Sequence, residues 1–159
     1  MLIRNLGPAD NMLLEAFECR VYRQPWTDEV QAAIREGLPE RVQAGAIQAL
    51  GLFDEQTGRL LSLIAWTVPN QEIWAVQALA TATGFHGRQH GATLKGELLK
   101  RAWAQDCYAV TSLVHRDNEA MLAINKRFQA HIELDPTDPY RNTMLCTIIR
   151  PERPSSPGK

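Results

Sequence analysis

The chain has 159 residues, 45% of them hydrophobic, which is enough to form the core of one domain. Its 17 Lys and Arg residues nearly balance 18 Asp and Glu residues, so no overall field attracts nucleic acid or an anionic membrane. The longest apolar stretch, Leu60 to Trp66, is too short to cross a bilayer, and the first ten residues carry Arg4 and Asp10 with no apolar run between these charges. We therefore expect a cytoplasmic protein without nucleic-acid or membrane partners.

The cysteines exclude two further classes of protein. Cys19, Cys107 and Cys146 are odd in number, far apart and free of any CxxC or Cys/His ligand spacing. This pattern predicts reduced core thiols, and it indicates neither a disulfide framework nor a metal site.

The first half of the chain predicts a strand, two helices and three more strands. The helices fall between Asn11 and Gly45, and the second of them begins at Thr27, a plausible N-cap. The strand-like segments are 2–6, 46–53, 60–68 and 73–81. The last of these is apolar on both faces, which is typical of a strand covered on both sides.

The second half predicts a helix, a strand, another helix and two strands. In the long helix, apolar residues form one stripe, and we expect Arg88, Lys95, Lys100 and Arg101 to face water. The later elements are a strand at 109–114, a helix at 118–128 and strands at 131–134 and 143–149. The passage 73–128 therefore predicts a parallel crossover unit, residues 1–150 one domain, and 151–159 a disordered tail.

A glycine-bearing turn joins the strand at 73–81 to the long helix. Its glycines are Gly84, Gly87 and Gly91. Such a turn directs free N–H groups and the positive end of the helix dipole at one point, and glycines let a phosphate approach the main chain. Neither the Walker spacing nor GxGxxG is present. A tight connection that binds nothing is the alternative.

Two motifs in this region resemble those of the GNAT superfamily of acyltransferases. The segment 86–91, HGRQHG, resembles the pyrophosphate signature R/Q-x-x-G-x-G/A, although His86 and Gln89 depart from it. VHRDN at 114–118, followed by a helix, resembles the next motif. The run NEAMLAINK at 118–126, with Leu94-Lys95 before it, is similar to a subgroup whose helix reads N-x-x-M-L-x-x-N. The resemblance implies a single α/β (α+β) domain with a mixed central sheet, helices on both faces, and the order β-α-α-β-β-β-α-β-α-β-β.

The resemblance also implies a function and a set of binding residues. It implies an N-acetyltransferase that moves an acyl group from acetyl-CoA to an amine of a small molecule or peptide, without a metal. A homodimer is compatible with it. Main-chain groups of Leu79, Ala80 and Thr81 would contact the pantetheine arm of coenzyme A and stabilise the oxyanion. Asn118 would lie near the same arm, or would only cap its helix. The pyrophosphate would be held by His86, Gly87, Arg88, Gln89, His90, Gly91 and Ala92.

Two amides are the candidates for catalysis. Asn125 lies at helical spacing from Met121 and Phe128, on the face that the helix should bury, and it matches the place where many GNAT enzymes carry a tyrosine that protonates the leaving thiolate. It would stabilise the sulfur by a hydrogen bond, or it is a core amide satisfied by its neighbours. Gln77 interrupts the apolar strand, so we expect it either to face a polar cleft and contact substrate or water, or to make a simple sheet-edge hydrogen bond.

No general base is identifiable from the sequence. Glu72 and His115 are candidates for a base that acts through water, whereas His90 and His115 are equally compatible with polar surface positions. Two other functions stay open: a non-catalytic acyl-CoA-binding or sensor module, and a plain interaction domain that binds no coenzyme A.

Overall fold

The computed structural model describes residues 1–10, 13, 47–82, 84–85 and 87–152. Within these ranges seven strands form one sheet in the order β1-β2-β3-β4-β5-β7-β6. The strands are Leu2–Asn5 (β1), Gln48–Phe53 (β2), Leu60–Asn70 (β3), Ile73–Thr81 (β4), Ala109–His115 (β5), His131–Leu134 (β6) and Thr143–Ile149 (β7). The helices of this part of the chain are His90–Ala104 (α1) and Glu119–Arg127 (α2), and a short 3₁₀ turn covers Pro8–Asp10.

Strands β4 and β5 are parallel neighbours, and α1 connects them. The other neighbouring strands are antiparallel. This topology confirms the predicted crossover unit and the mixed sheet, and the observed strands begin and end close to the predicted residues. The two helices predicted between 11 and 45 and the tail from 153 to 159 lie outside the described residues.

Alternation along the strands divides the apolar core between the two faces of the sheet. On β2, Leu50 and Leu52 belong to the cluster that contains the apolar residues of α1 and α2. Ala49 and Phe53 belong to a second cluster on the opposite face. Both described helices therefore cover the same face of the sheet, and the predicted helices of the other face fall in the part of the chain that is not described.

A β-bulge at Gln77 interrupts the alternation of β4. Val76 and Ala78 pair with consecutive residues of β3, so Gln77 between them has no partner there. The inserted residue reverses the alternation, because Val76 lies on the helix side before the bulge and Leu79 lies there after it. No pattern in the sequence indicates this bulge.

Lys95 corrects one sequence-based expectation about α1. The apolar stripe is as predicted, with Leu94, Leu98 and Ala102 fully buried. Lys95 does not face water with Lys100, because it is only 1% exposed. The reason is that α1 packs against both the sheet and α2, so its buried face is wider than the apolar stripe and includes the position beside it.

Cys107 and Cys146 are buried and free, as predicted. Cys19 lies outside the described residues.

None of the described helices is long and apolar enough to cross a membrane. The described ranges also contain no group of three or more His, Cys, Asp and Glu side chains placed to hold a metal ion.

Candidate active site

The central parallel strands separate at one end of the sheet. Strands β4 and β5 pair as far as Val76 and Ser112, although β4 continues to Thr81 and β5 to His115. The two strands therefore diverge beyond this pair. We call the gap between them the wedge, with its vertex at Val76 and Ser112. Because α1 follows β4, the first turn of α1 lies at the open end of the wedge.

One edge of β4 presents main-chain groups to the wedge. The Ala82 N–H donates to the Leu61 carbonyl over 2.8 Å, which fixes the alternation of the β3–β4 ladder. In that alternation Ala80 also bonds to β3, whereas the N–H and C=O groups of Leu79 and Thr81 point away from β3 into the wedge. Two of the three residues predicted to contact pantetheine through the main chain are thus on the open side.

Within the described residues, the loop before α1 provides no side-chain cap for the start of the helix, which we therefore call uncapped. Gly84, Gly87 and Gln89 have positive φ angles of 89°, 79° and 62°. Gln89 is the N-cap residue, and its side chain makes no capping hydrogen bond. The main-chain N–H groups at the start of the helix therefore have no intrahelical partner, and the positive end of the helix dipole faces the open end of the wedge. These N–H groups belong to His90, Gly91 and Ala92.

Polar and basic side chains surround this uncapped turn. Arg127 of α2 donates from Nη1 to Gln89 Oε1 over 2.6 Å, and Arg88 is exposed beside the Phe85 ring. His90 is 5% exposed, and its Nε2 atom has no hydrogen-bond partner among the described residues. Burial and the nearby Arg88 charge lower the pKa of His90, so the imidazole is neutral at pH 7. His86 lies outside the described residues.

The loop glycines have different structural roles. A Cβ atom on Gly91 would lie 3.2 Å from Ile124 Cδ1 and 3.8 Å from a methyl of Leu79, so this glycine permits close packing of α1 on α2. The sequence suggested that the loop glycines let a phosphate approach the main chain. In the structure, the group that lies closest to the Cβ position of Gly91 is the side chain of Ile124. Gly87 combines a positive φ with open space around its Cβ position.

The two asparagines of α2 are both hydrogen-bonded. Asn118 is the N-cap, as predicted, and its Oδ1 atom accepts from the Met121 N–H over 3.2 Å. Asn125 is 1% exposed, as predicted for the buried face of the helix. Its Nδ2 donates to the Met121 carbonyl over 3.0 Å, and its Oδ1 accepts from Ser112 Oγ over 3.3 Å. Asn125 therefore reaches the vertex of the wedge through Ser112.

Lys95 completes a buried polar cluster with Ser112 and Asn125, which we call the vertex cluster. Lys95 Nζ lies 3.4 Å from Ser112 Oγ. Desolvation lowers the pKa of Lys95 from 10.5 to about 8. Cys146 faces the cluster from β7, where it is the partner of Ser112, and burial raises the pKa of its thiol. Asn125 is predicted from the sequence as a candidate site residue, whereas Lys95 and Ser112 are not.

Gln77 is exposed at the bulge beside the vertex. Its Nε2 atom donates to Thr67 Oγ1 over 3.2 Å and to the Ala75 carbonyl over 3.3 Å. These contacts match the sheet-edge alternative for Gln77. A contact with substrate stays a prediction.

The candidate bases lie at opposite ends of the sheet. Glu72 directly precedes β4 on the paired side, and its carbonyl accepts from the Tyr108 and Ala109 N–H groups. The closed part of the sheet therefore separates Glu72 from the wedge. His115 is the last residue of β5, at the open end, where its Nδ1 accepts from the Asp117 N–H over 3.1 Å.

Known structures share this architecture. The PaiA N-acetyltransferase from Thermoplasma acidophilum, solved with coenzyme A, is 17% identical with a TM-score of 0.72, and the match covers 94% of this chain and 100% of that chain. The spermidine N-acetyltransferase from Vibrio cholerae, solved with CoA and spermine, is 13% identical with a TM-score of 0.69 over 93% of this chain and 94% of that chain. No protein-family model and no curated protein matches the sequence.

A third structure, an aminoglycoside 6′-acetyltransferase type Ii, is 15% identical with a TM-score of 0.71. The match covers 97% of this chain and 100% of that chain. The agreement extends over nearly the whole of each chain at low sequence identity, so it concerns the fold. The chain has the GNAT N-acetyltransferase fold. This finding confirms the fold expected from the resemblance carried by HGRQHG and NEAMLAINK.

Proposed function

We propose that this chain transfers an acyl group, usually acetyl, from acyl-CoA to an amine by direct attack of the amine on the thioester. The observation that carries the proposal is the wedge between β4 and β5, which opens toward the uncapped start of α1. An extended arm fits along the free edge of β4, while an anionic group at its outer end meets the helix N–H groups.

The residues around the loop fit the phosphates of coenzyme A. The N–H groups at the start of α1 and the open space at Gly87 offer a cradle for an anion. Arg88 and Arg127 add positive charge, and the Nε2 of His90, which has no partner among the described residues, is a further polar group for a ligand. The main-chain groups of Leu79 and Thr81 fit the amides of the pantetheine arm.

The vertex residues fit the chemistry of acyl transfer. Acetyl-CoA, when bound, supplies an activated acyl group. The Asn125 amide would stabilise charge on the departing sulfur, and the Leu79 and Thr81 N–H groups would stabilise the oxyanion. An alkylamine of pKa about 10.4 must be deprotonated at a cost of roughly 4 to 5 kcal/mol at pH 7. Since Glu72 lies behind the closed part of the sheet, we expect an acceptor amine of lowered pKa, or a base reached through water from His115.

Two of the similar structures support a small-molecule acceptor, because one is a spermidine N-acetyltransferase and the other an aminoglycoside 6′-acetyltransferase. A second candidate function is a non-catalytic acyl-CoA-binding module. It is favoured by one observation: no carboxylate in the described part of the chain contacts Lys95, Ser112 or Asn125.

Calorimetric titration with acetyl-CoA, followed by a thiol-release assay against a panel of amines of different pKa, tests the proposal. We expect binding, and thiol release with at least one amine. Binding without release by any amine would favour the non-catalytic module. Absence of acetyl-CoA binding in the folded protein would overturn both functions.

A further inference from the structure

Lys95 is a buried cation at the vertex of the wedge, and no carboxylate of the described residues pairs with it. Its side chain is 1% exposed, and it forms no ion pair with any described carboxylate. Within the described residues its one hydrogen bond goes to Ser112 Oγ. With a pKa of about 8, the ammonium is still the main form at pH 7. A buried charge without a partner costs stability, and such groups concentrate at functional sites.

The hydrogen bonds of the vertex cluster all run in one direction. Lys95 Nζ donates to Ser112 Oγ over 3.4 Å, and Ser112 Oγ donates to Asn125 Oδ1 over 3.3 Å. Both contacts are long, as is common at sites that tighten around a ligand. Each donor polarises the next one in a buried environment. The positive charge of Lys95 therefore strengthens the Asn125 NH₂ group as a donor.

The Asn125 NH₂ group has a proton to offer at the end of this chain. One of its two N–H bonds points to the Met121 carbonyl. The other has no partner among the described residues, and the proposed function places the thioester sulfur at this vertex. The cluster thus links a buried cation to the atom that acquires negative charge in the reaction.

Building on the proposed function, we infer that Lys95 is a positioning residue whose ammonium acts through Ser112 and Asn125 to stabilise negative charge on the departing sulfur. As the amine nitrogen bonds to the acyl carbon, the carbon–sulfur bond breaks and its electron pair goes to sulfur. The amine gives a proton to water, and the thiolate takes a proton from water. Lys95 keeps its protons throughout and supplies charge only.

Cys146 is the titratable group that faces Lys95 within the described residues. It lies on β7 opposite Ser112, and Lys95 opposes the rise that burial causes in the pKa of the thiol. Ser112 on β5 and Asn125 on α2 do not titrate. A pH effect at the vertex therefore belongs to Lys95 or to Cys146, and a Cys146→Ala variant distinguishes them.

The thiol pKa of bound coenzyme A tests the inference without turnover. Thiolate absorbance in the ultraviolet should show a thiol pKa about one unit lower in the wild-type complex than in Lys95→Met, which corresponds to about tenfold stabilisation of the thiolate. Lys100→Met, which removes an exposed charge from the same helix, should match wild type. Ser112→Ala should resemble Lys95→Met, because it interrupts the chain of donors.

The second measurement is the turnover of an amine that the thiol-release assay has confirmed as an acceptor. Lys95→Met should lower kcat about tenfold or more and leave KM for acetyl-CoA unchanged, since only the charge that develops during reaction is affected. Turnover of wild type and of Cys146→Ala should fall above pH 8, where Lys95 loses its proton, whereas the residual turnover of Lys95→Met should not.

Equal thiol pKa values in wild type, Lys95→Met and Ser112→Ala would overturn the inference and leave the proposed function intact. If Lys95→Met does not fold, an unchanged thiol pKa in folded Ser112→Ala would overturn it by itself. If wild type binds no coenzyme A, the proposed function fails, a result that differs from either of these outcomes.

Discussion

Asn125 combines an observed role in the core with a proposed role in catalysis. Its amide is satisfied on one side by the Met121 carbonyl and on the other by Ser112, so it is a well-bonded core residue. These contacts still leave one N–H free of described partners at the vertex. The core role is thus observed, and the role toward the sulfur is a proposal that substitution can test.

Replacing Asn125 with Leu removes the amide while nearly keeping its volume. We expect unchanged acetyl-CoA affinity and turnover lowered about tenfold or more, the value of one hydrogen bond of roughly 1.4 kcal/mol to the transition state. The Ser112 hydroxyl loses an acceptor, so unfolding free energy should fall by about 1 kcal/mol. Thiol release and urea unfolding measure the two effects. Equal turnover in Asn125→Leu and wild type would leave Asn125 as a core residue only.

The start of α1 is the element on which the proposed coenzyme A binding depends. In α2 the N-cap side chain of Asn118 satisfies an N–H of the first turn, whereas the side chain of Gln89 makes no capping hydrogen bond at the first turn of α1. Gly91 fixes α1 close to Ile124, and Gly87 gives the loop before it an open, left-handed turn. Packing and the proposed anion binding therefore depend on different glycines, Gly91 in the first turn of α1 and Gly87 in the loop before it.

Gly87→Ala should lower coenzyme A affinity, because a methyl group would fill the cradle that the loop forms. Gly58→Ala is the matched control: Gly58 has a φ of 69° against 79° for Gly87, and both have open space around the Cβ position. Both variants should lose about 1 kcal/mol of stability from backbone strain. Calorimetric titration should show weaker binding only for Gly87→Ala. Equal affinity in both variants would exclude Gly87 from the binding site.

Burial of the Lys95 charge lowers the free energy of unfolding of the whole molecule. The pKa of Lys95 is about 8 in the folded protein, below the ordinary value of 10.5. The unfolded chain therefore binds more protons between these pH values, so stability rises with pH across that window. Below pH 8 the full cost applies, and above pH 10.5 it disappears.

Lys95→Met should therefore be more stable than wild type at pH 7 by roughly 3 kcal/mol, and the difference should vanish as the pH passes 10.5. Urea unfolding at several pH values measures this difference, and Lys100→Met should show no pH-dependent gain because Lys100 is exposed. A Lys95→Met protein less stable than wild type at pH 7 would show that an anionic group outside the described residues compensates the charge.

The sequence by itself determined the order of the described elements and the position of the glycine-bearing loop before α1. Period-two and helical patterns depend on local spacing, so β4, α1, β5 and α2 were predicted within a few residues. The burial of Asn125 followed from the same periodicity, and the cap at Asn118 followed from local chemistry.

The tertiary structure alone decided the rest of the site. The bulge at Gln77 and the wedge beyond Val76 are properties of strand pairing, which depends on residues far apart in the chain. Lys95 has the side chain of a surface residue, and only the packing of α1 against both α2 and the sheet buries it beside Ser112. Its lowered pKa follows from that burial, because desolvation depends on neighbours that no local pattern specifies.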